Sequence, residues 1–495
     1  MATNTDRSIT IRSITIASVW VSMAMVAVLL LPAANAQSLT DLFMSPAQEK
    51  KIGAEEHERI VAQFGGVYED PALTQYVNGI GQFLASTSGA PGVGYTFTVL
   101  DSPVVNAFAL PGGYVYVTRG LVALADTEAQ LAGVIAHEIA HVAARHGANR
   151  YSKNVLAGIG LAILGAATEN RALTNIASIG ARAVLTGYSR QDEFEADQLG
   201  VTYLARAGFN PRAMAGFLRK LEANDRLQAR IHGRQAGGGL DFFSTHPNTD
   251  DRVARALDLA RANPVESPIV GRKVFLEQIN GLVFGDDPKQ GIIQGRRFIH
   301  PEIGFEFTVP SGFKLINEPT RVLARNREGA LIELKFDRLK ERYLTSYVDG
   351  LWPRGVQASR AERIEVNGMD GATAIARAPT RNGVIDVRVA ALLFEGSSIL
   401  RLMFMTPPRL TDALFDDFRR TTYSVYKLTR SERQVSAPHR VRIEMVRARD
   451  NIDAIVQRMS IDRHARDRFL VLNGLSGAQT LEPGEWIKLV TRRSP

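Results

Sequence analysis

His137 and His141 stand four residues apart with Glu138 between them, in the stretch 134–146, VIAHEIAHVAARH. On a helix, at about 100° per residue, both imidazoles leave one face, so a single metal ion can meet both. Zn²⁺ suits the pair. It takes imidazole nitrogen at about 2.0–2.1 Å and, in catalytic sites, three protein ligands plus a water. Glu138, one residue round the helix, can reach that water rather than the metal, which is where a general base belongs. The competing reading is a chance match, because lone histidines on apolar helices are usually packed core residues. Local context favours a helix that starts where the motif needs it. Thr127-Glu128-Ala129-Gln130 is a T-x-x-Q capping box, and Leu131, Val134, Ile135, Ile139 and Val142 then keep helical spacing.

A third ligand must come from elsewhere, and the stretch 187–200, GYSRQDEFEADQLG, is the candidate. Glu193 and Asp197 are four apart and share a helix face, while Glu195 points elsewhere. Glu193 as ligand, with Asp197 holding a ligand histidine by its other nitrogen, would complete a His₂Glu set. A charged, solvated helix is the alternative.

HEIAH, the downstream ExEAD and the stretch NAFALPGG at 106–113 together resemble the CAAX-prenyl-protease class of gluzincins, and more narrowly its soluble periplasmic BepA-like branch. The likeness covers roughly residues 45–262 and favours the metal site over the solvated helix. It implies one zinc per chain held by His137, His141 and Glu193, with Asp197 behind them and Glu138 as base. It also draws attention to STHPNTDDR, in which the histidine and arginine of relatives lie at the metal; His246 and Arg252 carry over on that ground. His246, Arg252 and Asn106 become the candidates to stabilise a tetrahedral oxyanion. His246, on a polar loop that follows Gly237–Gly239, could instead fill the open zinc position and keep the enzyme latent.

These residues need a scaffold, and the sequence punctuates one. Residues 1–36 read as a signal peptide cleaved after Ala36, with Arg7 and Arg12 before an apolar run 14–31 and an A-x-A site; an uncleaved anchor is the alternative. The mature chain would then be periplasmic. Residues 37–262 read as a mainly helical metallopeptidase domain with a small β-sheet. Ser45-Pro46 opens its first helix, on which His57 reads as a surface histidine. Alternating runs at 95–100 and 114–118 are expected to pair across the Pro-Gly-Gly turn, and the second to accept an extended substrate along its edge. Apolar stretches 155–167 and 173–185 are too short to span a bilayer and read as buried or partly exposed helices, a membrane-touching hairpin being the lesser alternative.

Residues 263–297 read as a linker. From 298 to 430 the strand runs 305–309, 331–336, 372–376, 384–394 and 398–404, with a helix near 410–420, suggest an α/β sandwich-like domain. GFEFTVPSGFKL there resembles the opening of PsbP/Mog1-like domains, and His300 reads as structural. Residues 437–493 resemble a βααβ LysM module, which implies peptidoglycan as a partner, although Arg449-Asp450-Asn451 stands where Gly-Asp-Thr is usual. The fold class expected is therefore multidomain α+β.

The chain has no cysteine, so the fold rests on its cores and no thiol nucleophile is available. A net charge of +8 is spread along 495 residues with no dense aromatic-interleaved basic run, which argues against nucleic acid. The reading is a zinc endopeptidase of the bacterial envelope that cleaves unfolded or misassembled envelope polypeptides. Contact with a membrane or with outer-membrane assembly machinery is a further partner expectation. The alternatives are an envelope chaperone or peptidoglycan-binding protein with a silent zinc site, and a cell-wall amidase.

Overall fold

The computed structural model describes residues 44–153, 187–232, 241–247, 251–353, 356–380, 383–434, 438–461, 464–477 and 479–492. The expected signal peptide, the apolar stretches 155–167 and 173–185, and the glycine run 237–239 lie outside the described residues. Among the described residues no helix is long and apolar enough to cross a membrane.

The N-terminal unit is mainly helical. Helix α1 (Pro46–Gln63) begins at a reciprocal capping box between Ser45 and Gln48, with proline in its first turn. Asp70 caps α2 (Pro71–Thr87) by accepting from Leu73 N, without a return arm, and proline again opens the first turn. A three-stranded sheet follows, β1 (Thr96–Leu100), β2 (Ala107–Leu110) and β3 (Tyr114–Thr118), in the order β1-β3-β2. The runs at 95–100 and 114–118 do pair, but as parallel strands. The Pro-Gly-Gly turn instead joins β3 to β2, whose antiparallel register brings Leu110 opposite Tyr114. This overturns the expectation that 114–117 offers a free edge: β3 is the central strand, hydrogen-bonded on both sides, and the edges belong to β1 and β2.

After the short helix α3 (Arg119–Leu124) comes α4 (Glu128–Ala143), which carries the HExxH residues. Thr127 accepts from Gln130 N as expected, but the return arm of the box is displaced by one residue: Gln130 Oε1 accepts from Asp126 N at 2.8 Å. Helix α4 is buried on almost every side and packs on α2, on α5 (Arg190–Arg206), on α6 (Arg212–His232) and on β2. Close contact with α5 depends on a missing side chain. A Cβ at Gly200 would lie 3.2 Å from the His137 backbone and 3.1 Å from Met214 Cε. The turn α7 (Phe242–Thr245) and helix α8 (Arg252–Ala262) complete the unit.

Residues 263–297, expected as a linker, hold a helix, Arg272–Gln278, and a strand, Val283–Phe284, that pack on the N-terminal unit and pair with or pack on the C-terminal one. The middle region is sheet-rich. Its long strands Met369–Thr380, Gly383–Glu395 and Ser398–Thr406 form the centre of an eight-stranded sheet, with helix Thr411–Tyr423 nearby. Apolar clusters cover both faces of that sheet. The C-terminal unit runs strand His439–Met445, helices Ile452–Val456 and Ala465–Asn473, then strand Trp486–Thr491, with its own core around Phe469 and Leu489. Its first strand also pairs with Val283–Phe284, and Val441 joins the core of the N-terminal unit.

Candidate metal centre

His137, His141, Glu193 and His246 converge: each offers one ligand atom, and these atoms lie within 4.8 Å of one another. Helix α4 supplies the two histidines one turn apart, and α5, brought close at Gly200, supplies Glu193. Glu193 Oε2 and Oε1 lie 3.5 Å from His137 Nε2 and His141 Nε2 respectively. The turn α7 delivers His246, whose Nδ1 sits 3.0 Å from Glu193 Oε1 and 3.3 Å from His137 Nε2. The ring of Phe242 stacks on His246 at 4.6 Å. All of these side chains are buried.

The outward nitrogens fix the proton positions. His137 Nδ1 lies 3.0 Å from Asp197 Oδ1, so its proton belongs there and its Nε2 lone pair faces inward. Nε2 of His141 is only 3.1 Å from Nε2 of His137. Two inward lone pairs at that separation repel unless a cation lies between them, and a buried set of two or three imidazoles and a carboxylate is the donor set that zinc takes. On this ground the residues fit the metal that the sequence implies.

Glu138 lies at the rim of the cluster, with Oε1 3.4 Å from His246 Nε2. Neither of its buried oxygens accepts a hydrogen bond among the described residues. Burial pushes its carboxyl above the usual range, and His246 and His137 only partly oppose this. Burial opposes ionisation of Asp197 too, but the Arg252 guanidinium beside it prevails and holds the carboxyl below its usual value. Arg252 donates from Nε and Nη2 to Asp197 Oδ2 and Oδ1, both at 2.7 Å, and places Nη1 2.7 Å from Glu193 Oε2. Expected as an oxyanion donor, it is instead committed to clamping two carboxylates. Asn106 is fully buried at the start of β2, and its Oδ1 is 3.4 Å from Thr245 Oγ1. It thus contacts the turn that bears His246.

Two further residues at the centre, Tyr188 and His146, are not singled out by the sequence. Tyr188 stacks on His141 with ring centroids 3.8 Å apart, and the Arg150 guanidinium lies 4.0 Å above its other face. His146 meets the outward nitrogen of His141 at 2.9 Å. His146 closes the quoted stretch 134–146, five positions past His141, and helical spacing alone would have sent it to another face. Away from the metal, His57 is half-buried rather than a plain surface residue, its Nδ1 2.8 Å from the Tyr116 hydroxyl.

A helical bundle and small sheet enclosing such a centre define a metallopeptidase domain, and residues 71–260 match the family described as Peptidase family M48. That stretch, which holds His137, His141 and Glu193, is thus similar to an M48 peptidase domain. More particularly, the chain is 34% identical over 253 residues to the beta-barrel assembly-enhancing protease of Escherichia coli (strain K12), covering 48% of this chain and 50% of that protein. It is 27% identical over 229 residues to the mitochondrial metalloendopeptidase OMA1 of Schizosaccharomyces pombe (strain 972 / ATCC 24843), covering 46% of this chain and 64% of that one. The chain thus spans about half to two thirds of the length of these relatives. Among solved structures, a cyanobacterial PsbP from Synechocystis sp. PCC 6803 overlaps 29% of this chain and 98% of its own at 16% identity, with a TM-score of 0.21.

Proposed function

We propose that the protein is a zinc metalloendopeptidase of the bacterial envelope that cleaves unfolded or misassembled envelope polypeptides and rests in a latent state. The observation that carries the activity is the buried convergence of His137, His141, Glu193 and His246, with Glu138 beside it accepting no hydrogen bond among the described residues. His137, His141 and Glu193 would hold the metal, while Asp197 and Arg252 keep their donor atoms in place. Zinc in such a site lowers the pKa of a bound water to about 7 and polarises a substrate carbonyl. Glu138 then takes the proton of the attacking water and passes it to the departing amine nitrogen. Of the two edge strands β2 lies beside the metal site, where His246 meets its Ala107 carbonyl, so its edge is where an extended chain would add. Such binding favours unfolded over folded substrates.

Latency is assigned to His246. Its Nδ1 lies among the inward donors, and its Nε2 lies 3.2 Å from the carbonyl oxygen of Ala107, on the strand edge a substrate would use. One side chain thus covers both the metal position and the edge. His246→Ala separates a plug from an oxyanion donor. A plug predicts raised activity or self-digestion, whereas a lost donor predicts a fall of roughly 10²–10³-fold.

The name of the Escherichia coli relative supports an outer-membrane assembly context, and the C-terminal strand-helix-helix-strand unit supports peptidoglycan attachment. The deciding experiment is hydrolysis of casein and release of muropeptides, each with and without chelator, beside Glu138→Gln. Chelator-sensitive casein cleavage lost in the variant bears out the peptidase. Muropeptide release would point to an amidase, and neither activity, in the wild type and in His246→Ala alike, to a silent site.

A further inference from the structure

We infer that His146 is a positioning residue for His141, fixing the proton on its outward nitrogen so that the inward one keeps a lone pair. The inference rests on reading His137, His141 and Glu193 as metal ligands. A ligand imidazole offers one nitrogen only when its proton sits on the other. For His137 a carboxylate, Asp197, settles the matter. Among the described residues His141 has no carboxylate at that place; its Nδ1 faces His146 Nδ1 at 2.9 Å. Two ring nitrogens at this distance share one proton, one donating and one accepting. If His141 Nε2 serves the metal, His141 Nδ1 is the donor and His146 Nδ1 the acceptor.

The assignment can be followed to its end. Neutral His146 then carries its own proton on Nε2, and that atom faces Glu195 Oε2 at 3.4 Å and Asp192 Oδ1 at 3.8 Å. Both are acceptors. The reverse assignment would aim the Nε2 lone pair of His146 at two carboxylates and the Nε2 proton of His141 into the metal position. Only the first tautomer chain suits every contact. Glu195, which points away from the metal, thus acts through His146.

The backbone supports this arrangement. Helix α4 ends at Ala143, and Arg145 adopts a left-handed conformation with φ of 58°, which turns the chain so that His146 meets His141. A residue with a Cβ adopts this conformation only where its surroundings hold it there. The Arg145 side chain is anchored: Nε donates to Glu49 Oε1 at 2.7 Å and Nη2 to the Met44 carbonyl at 2.6 Å. Tyr188, stacked on the His141 ring, opposes rotation of that ring out of line.

The test is zinc affinity of the full chain, measured by competition with a chelator, for wild type, His146→Leu, His146→Asn and His146→Gln. The amide oxygen of asparagine can stand near the Nδ1 position and accept from His141; that of glutamine reaches further, toward the Nε2 position. His146→Leu is expected to lose roughly 10–100-fold in affinity, the usual effect of removing such a partner. His146→Asn is expected to stay within a few-fold of wild type. Rescue by asparagine is what a merely space-filling role would not show. Should His146→Leu fail to fold, the asparagine and glutamine variants decide: asparagine retaining zinc and glutamine losing it is the expected result. Equal affinities for wild type and His146→Leu, or for the asparagine and glutamine variants, would overturn the inference alone. A wild-type chain that binds no zinc would overturn the metal-site reading and this inference with it.

Discussion

A buried carboxylate without a hydrogen bond is costly to ionise, and neither Glu138 oxygen accepts one among the described residues, whereas Glu193 meets Arg252 and His246 and Asp197 meets Arg252 and His137. The contrast separates its function from theirs. Glu138→Gln is expected to keep zinc at wild-type stoichiometry while proteolysis falls by roughly 10²–10⁴-fold, because a base is removed and the ligand set is not. Glu193→Ala is expected to lose the zinc itself and to leave Arg252 without one of its two anions. Metal analysis beside a casein assay checks both, and zinc lost from Glu138→Gln would contradict the division of roles. The pair His137 and His141 was legible because a helix turns predictable spacing into a shared face. Arg252 was legible only by resemblance, and its actual use was not, since nothing in STHPNTDDR says that the guanidinium would meet Asp197 across two helices. His146 was hidden for a related reason: its place depends on a left-handed turn at Arg145, a conformation that arginine does not announce.

At the scale of elements, the site depends on how closely α5 approaches α4. Gly200→Ala would drive a methyl group against the His137 backbone at 3.2 Å, a contact that backbone relieves only by separation of the helices. The expected cost is about 1–3 kcal/mol of stability, with a parallel loss of zinc affinity because Glu193 and Asp197 move with α5. Denaturant unfolding and chelator competition on one preparation test this; an unchanged zinc affinity would show that the helices need not touch there. The sheet shows what alternation leaves undetermined. It located the strands near 95–100 and 114–118 but not their relative direction, nor the third strand, since AFAL is apolar throughout and buried on both faces. In the middle region, strand Arg297–His300 ends in a residue whose reading as structural leads to a pH effect. His300 is half-buried against Phe305, and its Nδ1 accepts from Ile303 N at 3.2 Å. Burial lowers its pKa to about 4, against about 6.5 in an unfolded chain. Between those values the unfolded chain takes up a proton that the folded one refuses, so stability falls as pH drops from about 6.5 toward 4. A His300→Gln variant, which cannot gain that proton, is expected to show a shallower fall in melting temperature over the same window.

Across the whole molecule, the C-terminal unit is fastened to the foot of the metal helix by buried charge. Lys488, in the last strand, is fully buried; its Nζ donates to the carbonyls of Ala123, Leu124 and Ala125 at 3.0, 3.0 and 2.6 Å and lies 3.0 Å from Asp126 Oδ1. A cation at the carbonyl end of α3 is favourably placed. Lys220 of α6 pairs with the same aspartate and also donates to the Leu472 carbonyl at 2.8 Å, so Asp126 lies between two lysines from different units. Arg272 adds a bridge from the Asp126 carbonyl to that of Trp486. None of this was legible, because a lysine in the alternating run Trp486-Ile487-Lys488-Leu489 reads as the outward position of a two-faced strand. Three carbonyls and an aspartate from a distant part of the chain turn that outward face into an interior one. Lys488→Met keeps the length and removes the charge, leaving the α3 carbonyls and part of Asp126 without a donor in a dry place. The expected loss is about 3–5 kcal/mol, the scale for breaking a buried pair on one side, read as a lower denaturant midpoint and faster proteolysis of the C-terminal unit. Zinc affinity should move little. Asp126 directly precedes the cap of α4, but His137 lies ten residues further on, about 15 Å along the helix at 1.5 Å per residue, and is held there by Asp197 and the packing of α5. A variant that kept its midpoint would show that the buried lysine is dispensable, and one that lost zinc along with stability would show that the C-terminal unit sets the metal site itself.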